Sequence, residues 1–163
     1  MGMTLQGHNG GFIDGGFDVN TSTTAYHAGM PLKINTSGTL ELCLCFRNGY
    51  DDGYVGLARN HSGSTSDTKS DIYNGKAAYI TFPAQVKLDN DDATDPADAY
   101  PWDVTRVYVP GDDLYINEVG YLTNVAPGGG GAVYDDVCAN GSPIAIVMVV
   151  DSGGTYLIIN LIR

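Results

Sequence analysis

Charged side chains are scarce in this sequence, and basic ones are the scarcest. They make up 17% of the residues, below the proportion of about a quarter that is usual in globular proteins. Only 8 residues are Lys or Arg against 19 Asp or Glu, which gives a formal net charge of −11. A surface of that sign repels nucleic acid phosphates and anionic membranes, so we expect neither nucleic acid nor a membrane as a partner.

Long apolar runs and a cysteine framework are also missing. No segment approaches the roughly 20 apolar residues needed to cross a bilayer, and residues 1–16 lack the basic and then apolar run of a secretory signal. The 3 cysteines, Cys43, Cys45 and Cys138, have no spacing typical of a disulfide framework. We expect a soluble protein kept in a reducing compartment, with small, semi-buried thiols and no zinc site.

Glycine, tyrosine and a period of two dominate what the sequence does contain. There are 22 Gly and 11 Tyr, and apolar and polar residues alternate between turn sequences from residue 28 onward. This pattern predicts an all-β fold, a compact barrel or sandwich of roughly eight to ten short antiparallel strands. The expected strands cover residues 32–34, 40–46, 54–58, 76–82, 85–88, 104–109, 144–150 and 156–162, and residues 114–125 form a further hairpin.

The last two of these strands are the most apolar part of the chain. Consecutive Val, Ile and Leu residues leave no polar alternation for a solvated face. We therefore predict a central hairpin with its turn at residues 151–154 and with both faces covered, by the domain or by a neighbouring subunit.

One pattern, G-x-x-L-x-I-N-x-x-G-x-L, occurs twice. It runs from Gly29 to Leu40 and again from Gly111 to Leu122, at a separation of 111 − 29 = 82 positions. In the first copy, Asn35 and Gly38 suit the first and fourth positions of a type I turn with a following bulge. The repeat predicts a pseudo-duplicated β architecture; the alternative is a hairpin pattern shared by chance among Gly-rich β sequences.

The first 24 residues differ in composition from the rest, because they are rich in Gly, Asn, Thr and Ser. We expect a Gly-rich, extended interaction arm over residues 1–24 and a single β domain over residues 25–163. An acidic connection at about residues 89–103 separates two halves of that domain. A disordered end is the alternative interpretation of the arm. Four apolar residues would anchor the arm on a partner: Phe12, Ile13, Phe17 and Val19.

Side chains with catalytic chemistry form no recognisable constellation. His8, His27 and His61 are isolated, no H-E-x-x-H spacing links them, and no G-x-S-x-G elbow occurs. The acidic residues 89–98 offer carboxylate oxygens to calcium but lack the glycine and the distal glutamate of an EF-hand loop, so we interpret them as a solvated loop. We expect no enzymatic activity, no metal and no cofactor.

Trp102 is the one tryptophan, and it has Tyr100 and Tyr108 nearby in the sequence. Such a side chain either stacks on a sugar ring or anchors a core or an interface.

Six short motifs follow one another in the β domain. They are A-G-M-P at 28–31, V-G-L-A at 55–58, N-G-K-A at 74–77, V-P-G-D-D-L-Y at 109–115, G-Y-L-T at 120–123 and Y-L-I-I at 156–159. In this order the motifs resemble those of the capsid cement (head decoration) proteins of tailed phages. The likeness covers most of residues 28–163 and rests on glycine turns and strand patterns rather than on reactive residues.

The resemblance implies a structural virion protein that binds the outer surface of a phage capsid. Its partners would be the major capsid protein and other copies of itself, in a trimer more readily than a dimer. It would bridge neighbouring capsomers, stabilise the expanded shell, and be present in the host cytoplasm during assembly. We expect Trp102 to join the arm residues in partner binding. The alternative is a carbohydrate-binding or adhesive β module, such as a head-fibre base, that uses Trp102 and nearby tyrosines.

Overall fold

The computed structural model describes residues 3–5, 13–18, 26–46, 49–50, 54–59, 76–89, 100–126 and 142–162. These residues form strands, turns and irregular segments without a helix, which confirms the all-β prediction. No helix that could cross a bilayer occurs within these ranges. The strands are β1 (Met3–Leu5), β2 (Ile13–Asp18), β3 (Pro31–Ile34), β4 (Leu40–Leu42), β5 (Cys45–Phe46), β6 (Gly49–Tyr50), β7 (Tyr54–Ala58), β8 (Lys76–Ile80), β9 (Ala84–Asp89), β10 (Asp113–Ile116), β11 (Leu122–Thr123), β12 (Ala145–Val150) and β13 (Tyr156–Leu161).

Two antiparallel sheets contain most of these strands. The larger has the order β1-β9-β13-β12-β10-β11 and the smaller has the order β2-β8-β7-β3-β4, while β5 and β6 form a separate pair. The chain passes from the smaller to the larger sheet at residues 81–83, between β8 and β9, where the Phe82–Pro83 peptide bond is cis. The predicted break at Pro83 is therefore confirmed.

Both sheets contribute to one hydrophobic core. Leu57 and Ile80 of the smaller sheet belong to the same buried cluster as Val86, Leu114 and Ile159 of the larger sheet. The sheets therefore pack face to face, as in a sandwich, and one of them is curled into a half-barrel.

A second buried cluster lies on the smaller sheet and includes Leu32, Leu42, Ala58 and Tyr79. Successive side chains of a strand point to opposite faces. Because Leu57 belongs to the first cluster and Ala58 to the second, the smaller sheet buries both of its faces.

The predicted pseudo-duplication is confirmed by the strand order. The four strands β8-β7-β3-β4 of the smaller sheet have the same arrangement as β13-β12-β10-β11 of the larger sheet. In each unit, a glycine with positive φ donates its N–H to a carbonyl on the adjoining strand, and that strand donates back to the residue after the glycine. The Gly29 N–H donates to the Ala58 carbonyl at 2.7 Å, and the Ala58 N–H donates to the carbonyl of the residue after Gly29 at 2.8 Å. The corresponding hydrogen bonds between the Gly111 segment and Val147 are 2.8 and 2.9 Å long.

The first hairpin of the duplication is closed by the side chain of Asn35. Its Oδ1 atom accepts hydrogen bonds from the N–H groups of Ser37 and Thr39, both at 3.0 Å. Gly38 then adopts φ +77, a left-handed conformation that costs glycine little. The local hydrogen bonds explain why this short sequence makes the same turn in both halves.

The second hairpin repeats that turn at Asn117. Its Oδ1 atom accepts the N–H groups of Val119 and Tyr121 at 3.1 and 2.9 Å, and Gly120 has φ +87. A third turn of similar design follows β12, where Asp151 Oδ2 accepts the N–H groups two and four residues later. The predicted turn at residues 151–154 is therefore present.

Two strands come from the segment that we expected to be an arm. β1 pairs with β9, with Met3 opposite Leu88, and β2 pairs with β8, with Ile13 opposite Ile80. The expected boundary at residue 24 therefore does not separate residues 3–5 and 13–18 from the sheets. Pairing of this kind needs backbone N–H and C=O groups rather than an apolar period, so the composition of the segment did not reveal it.

The ends of the expected acidic connection belong to the folded part of the chain. Asp89 is the last residue of β9, and Pro101, Trp102 and Asp103 are buried. The acidic residues between them, at positions 90–99, lie outside the described residues.

The final hairpin is central in the larger sheet but is not buried on both faces. Leu157, Ile159 and Leu161 of β13 are buried and alternate with half-buried neighbours, and Met148 and Val149 of β12 are 41% and 40% exposed. The domain by itself therefore does not cover both faces of the hairpin, and coverage of the exposed face by a neighbouring subunit stays a prediction.

Candidate protein-binding surface

Three exposed valines are concentrated in one short segment before β10. Val104, Val107 and Val109 are 59%, 84% and 54% exposed. They belong to residues 103–109, which we call the valine loop. The sequence predicted a strand at 104–109, but the structure has a turn followed by an irregular segment there, so that prediction is wrong.

Asp103 makes the turn that replaces the predicted strand. Its Oδ1 atom accepts hydrogen bonds from the N–H and the hydroxyl of Thr105, at 2.9 and 2.6 Å, and its carbonyl accepts the N–H of Arg106 at 3.2 Å. Arg106 Nε also lies 3.5 Å from Asp103 Oδ2. A side chain that accepts a hydrogen bond from the backbone two residues later competes with strand pairing, and in this segment the turn forms instead of a strand.

The buried side chain of Tyr108 holds the valine loop through hydrogen bonds. The single proton of its buried hydroxyl is shared between the carbonyls of Asp103 and Leu122, at 3.0 and 3.2 Å from the hydroxyl oxygen. Burial raises the pKa of Tyr108 well above its ordinary value, and the negative charge of Asp103 raises it further. The hydroxyl therefore stays protonated and available as a donor throughout the physiological pH range.

Asn124 and Asp112 fix the far end of the loop. Asn124 Nδ2 donates to the carbonyl of Val107 at 2.9 Å and to Asp112 Oδ2 at 2.7 Å. The same carboxylate oxygen accepts the N–H of Val109 at 3.0 Å. The backbone of Val107 and Val109 is thus hydrogen-bonded to side chains, while the valine side chains of the loop are exposed.

A groove of about 330 Å³ runs between the valine loop and the β12–β13 hairpin. Val104 and Val107 form one wall, and Val150 and Leu157 form another. Tyr100, Trp102, Arg106 and Asp151 also line it. The groove and the valine loop together make one largely apolar surface next to a few charged groups.

Trp102 lies at this groove but is mostly covered. It is 4% exposed, and its ring packs edge to face on Tyr100 with 4.7 Å between ring centroids. A sugar-stacking tryptophan has to expose one face of its ring, so this environment fits an anchor of the core better. Contact between Trp102 and a partner stays a prediction.

Two of the four predicted arm anchors are among the described residues, and they are not in the sheet that contains this surface. Ile13 and Phe17 belong to β2 in the smaller sheet, whereas Trp102 forms a bridge with Leu122 in the larger sheet. Phe12 and Val19 lie outside the described residues. Binding of a partner by these four positions stays a prediction.

Candidate metal ligands are sparse in the described part of the chain. No three His, Cys, Asp or Glu side chains of that part come together in a way that could hold a metal ion. Cys43 is buried, and its sulfur is not part of a disulfide. His8, His61 and Cys138 lie outside the described residues.

The sequence contained a local signal for the valine loop that the β-branched residues of 104–109 obscured. Asp followed two residues later by Thr, as in Asp103-Val104-Thr105, is typical of an Asx turn rather than of a strand. The roles of Tyr108 and Asn124 depend on contacts with distant parts of the chain, which no local pattern reveals.

Comparison with known proteins adds no relative to this description. A scan against models of protein families, a search of curated proteins and a search of solved structures each found no match for this chain.

Proposed function

We propose that this chain is a structural virion protein that binds the outer surface of a tailed-phage capsid. In that role it bridges neighbouring capsomers, stabilises the expanded shell and performs no catalysis. The proposed partners are the major capsid protein and other copies of the chain. The support from the sequence is the order of glycine-turn and strand motifs that resembles capsid cement proteins.

The structural observation that carries the proposal is the valine loop. Full burial of one valine side chain contributes about 1.5–3 kcal/mol. A partner that covers the three exposed valines would therefore gain several kcal/mol of binding free energy from apolar contact. The hydrogen bonds from Tyr108 and Asn124 already hold the loop, so little conformational entropy is lost when a partner covers it. A rigid apolar loop of this kind is typical of a surface that binds another protein.

The carbohydrate-binding alternative has less support. Its main residue, Trp102, is 4% exposed and packs on Tyr100, which leaves little ring surface for a sugar. Loss of glycan binding in Trp102→Ala, with capsid binding intact, would favour that alternative over ours.

Co-sedimentation with undecorated, expanded capsids tests the proposal. We expect saturable binding with a fixed number of copies per particle. Val107→Asp should weaken it at least about tenfold, because a charge would have to be desolvated at the interface. Val119→Asp is the matched control, since Val119 is an exposed valine in the β10–β11 turn. Absence of saturable binding by the wild-type chain, or equal binding by the two variants, would contradict the proposal.

A further inference from the structure

The part of the chain that supplies the valine loop and the β12–β13 hairpin is acidic in composition. Residues 100–126 and 142–162 include one basic side chain and five acidic ones, so their formal charge is 1 − 5 = −4. The basic residue is Arg106. The acidic residues are Asp103, Asp112, Asp113, Glu118 and Asp151.

The positive charge of Arg106 is already offset within the loop. Its Nε atom lies 3.5 Å from Asp103 Oδ2, and the carboxylate of Asp103 is almost fully buried. Across the groove, Asp151 accepts hydrogen bonds from the Thr155 hydroxyl at 2.7 Å and from backbone N–H groups. These hydrogen bonds lower the pKa of Asp151, and the bond from the Thr155 hydroxyl has the largest effect. The carboxylate therefore stays ionised in mildly acidic solution. Two carboxylates, those of Asp103 and Asp151, thus accompany one guanidinium at the groove, a formal charge of 1 − 2 = −1.

This charge makes a second copy of the chain a poor occupant of the groove. Each copy has a formal charge of −11, and the same face of a second copy would bring its own excess of carboxylates. A partner segment with basic residues would instead gain from the field of the groove.

We infer, on the basis of the proposed function, that the capsid protein docks here through a large apolar side chain flanked by lysine or arginine. The apolar side chain would enter the groove between Val107 of the valine loop and Leu157 of β13. The flanking cations would lie near Asp151 at the rim. Apolar contact would then supply most of the affinity, while the charges would select a basic segment and orient it.

Two synthetic peptides test the chemistry without a capsid. Both carry a central phenylalanine, flanked by lysines in one and by glutamates in the other. Titration into the ¹⁵N-labelled full chain should show that the lysine peptide shifts the amide signals of residues 104–109 and 150–157. Its dissociation constant should rise about tenfold between about 50 mM and about 500 mM NaCl, because salt screens the charges. Equal shifts from both peptides, no shifts at millimolar peptide, or shifts confined to other residues would overturn the inference.

Asp151→Asn is the sharpest variant for this test. The equivalent turns use Asn35 and Asn117, so an amide oxygen can accept the same backbone hydrogen bonds and the fold should be kept. We expect the variant to bind the lysine peptide several-fold more weakly and with a smaller salt dependence. Unchanged affinity and salt dependence in a folded Asp151→Asn protein would overturn the role of the charge.

The capsid experiment separates this inference from the proposed function. Saturable capsid binding that is insensitive to both salt and Asp151→Asn would leave the proposed function standing and overturn the inference. Specific binding of the lysine peptide without any capsid binding would contradict the proposed function and support the basic, apolar nature of the partner segment.

Discussion

Gly120 lies directly against the side chain of Leu42. A Cβ atom at position 120 would come within 2.7 Å of both Cγ and Cδ2 of Leu42. Gly120 belongs to the β10–β11 turn and Leu42 to β4, so this contact joins the two halves of the duplication. Gly38, which has the equivalent place in the first half, has no such neighbour within 4 Å.

The pair of equivalent glycines allows a matched test of this contact. Gly38→Ala and Gly120→Ala both place a Cβ at positive φ, at +77 and +87, which costs about 1–2 kcal/mol. Gly120→Ala should cost about 1–3 kcal/mol more, because Leu42 has to move. Urea denaturation of both variants measures the difference. Equal losses in unfolding free energy would show that Leu42 moves without cost.

Tyr108→Phe tests how the valine loop is held. Both carbonyls that accept the Tyr108 hydroxyl also accept a backbone N–H, from Arg106 and from Asp103 respectively. Neither is left without a donor, so we expect a stability loss of only about 1 kcal/mol. Capsid binding should weaken as well, because the loop loses rigidity. Tyr115→Phe on β10 serves as a control, and equal capsid binding by the two variants would contradict a positioning role for Tyr108.

Alkaline pH should destabilise the fold through its buried tyrosines. Burial raises the pKa of Tyr26 from 10.0 to about 12. Above pH 10.0 the unfolded chain loses this proton while the folded chain keeps it, so stability falls with rising pH until about pH 12. The slope is about 1.4 kcal/mol per pH unit for one such group. Comparing unfolding free energies of the wild type and Tyr26→Phe between pH 9 and 11 isolates this contribution; identical pH slopes would contradict it.

Removal of residues 1–24 should lower stability rather than leave the rest of the fold unchanged. The deletion removes β1 from β9 and β2 from β8, so each sheet loses an edge strand and exposes the backbone groups of the next one. We expect a loss of a few kcal/mol in urea denaturation, since each lost hydrogen bond costs about 0.5–1.5 kcal/mol. A truncated chain as stable as the full one would show that these pairings contribute little to the fold.

Local patterns in the sequence were sufficient for several features of the fold. The period of two predicted the all-β class, and Asn35 and Asn117 with their following glycines predicted the two equivalent hairpins. These features could be predicted because each depends on residues a few positions apart. The repeat separated by 82 positions likewise pointed to the duplication that the strand order confirms.

Long-range contacts decided the rest. Residues 104–109 are rich in β-branched side chains, as strands are, yet the Asp103 turn and the hydrogen bonds from Tyr108 and Asn124 hold them as a loop with exposed valines. Residues 3–5 and 13–18 lack an apolar period, yet they pair with β9 and β8 because those strands offer free backbone groups. The sequence by itself determined the strands and turns, whose interactions are local. Only the tertiary structure decided which segments pair and which apolar side chains stay exposed, since both depend on partners far away in the chain.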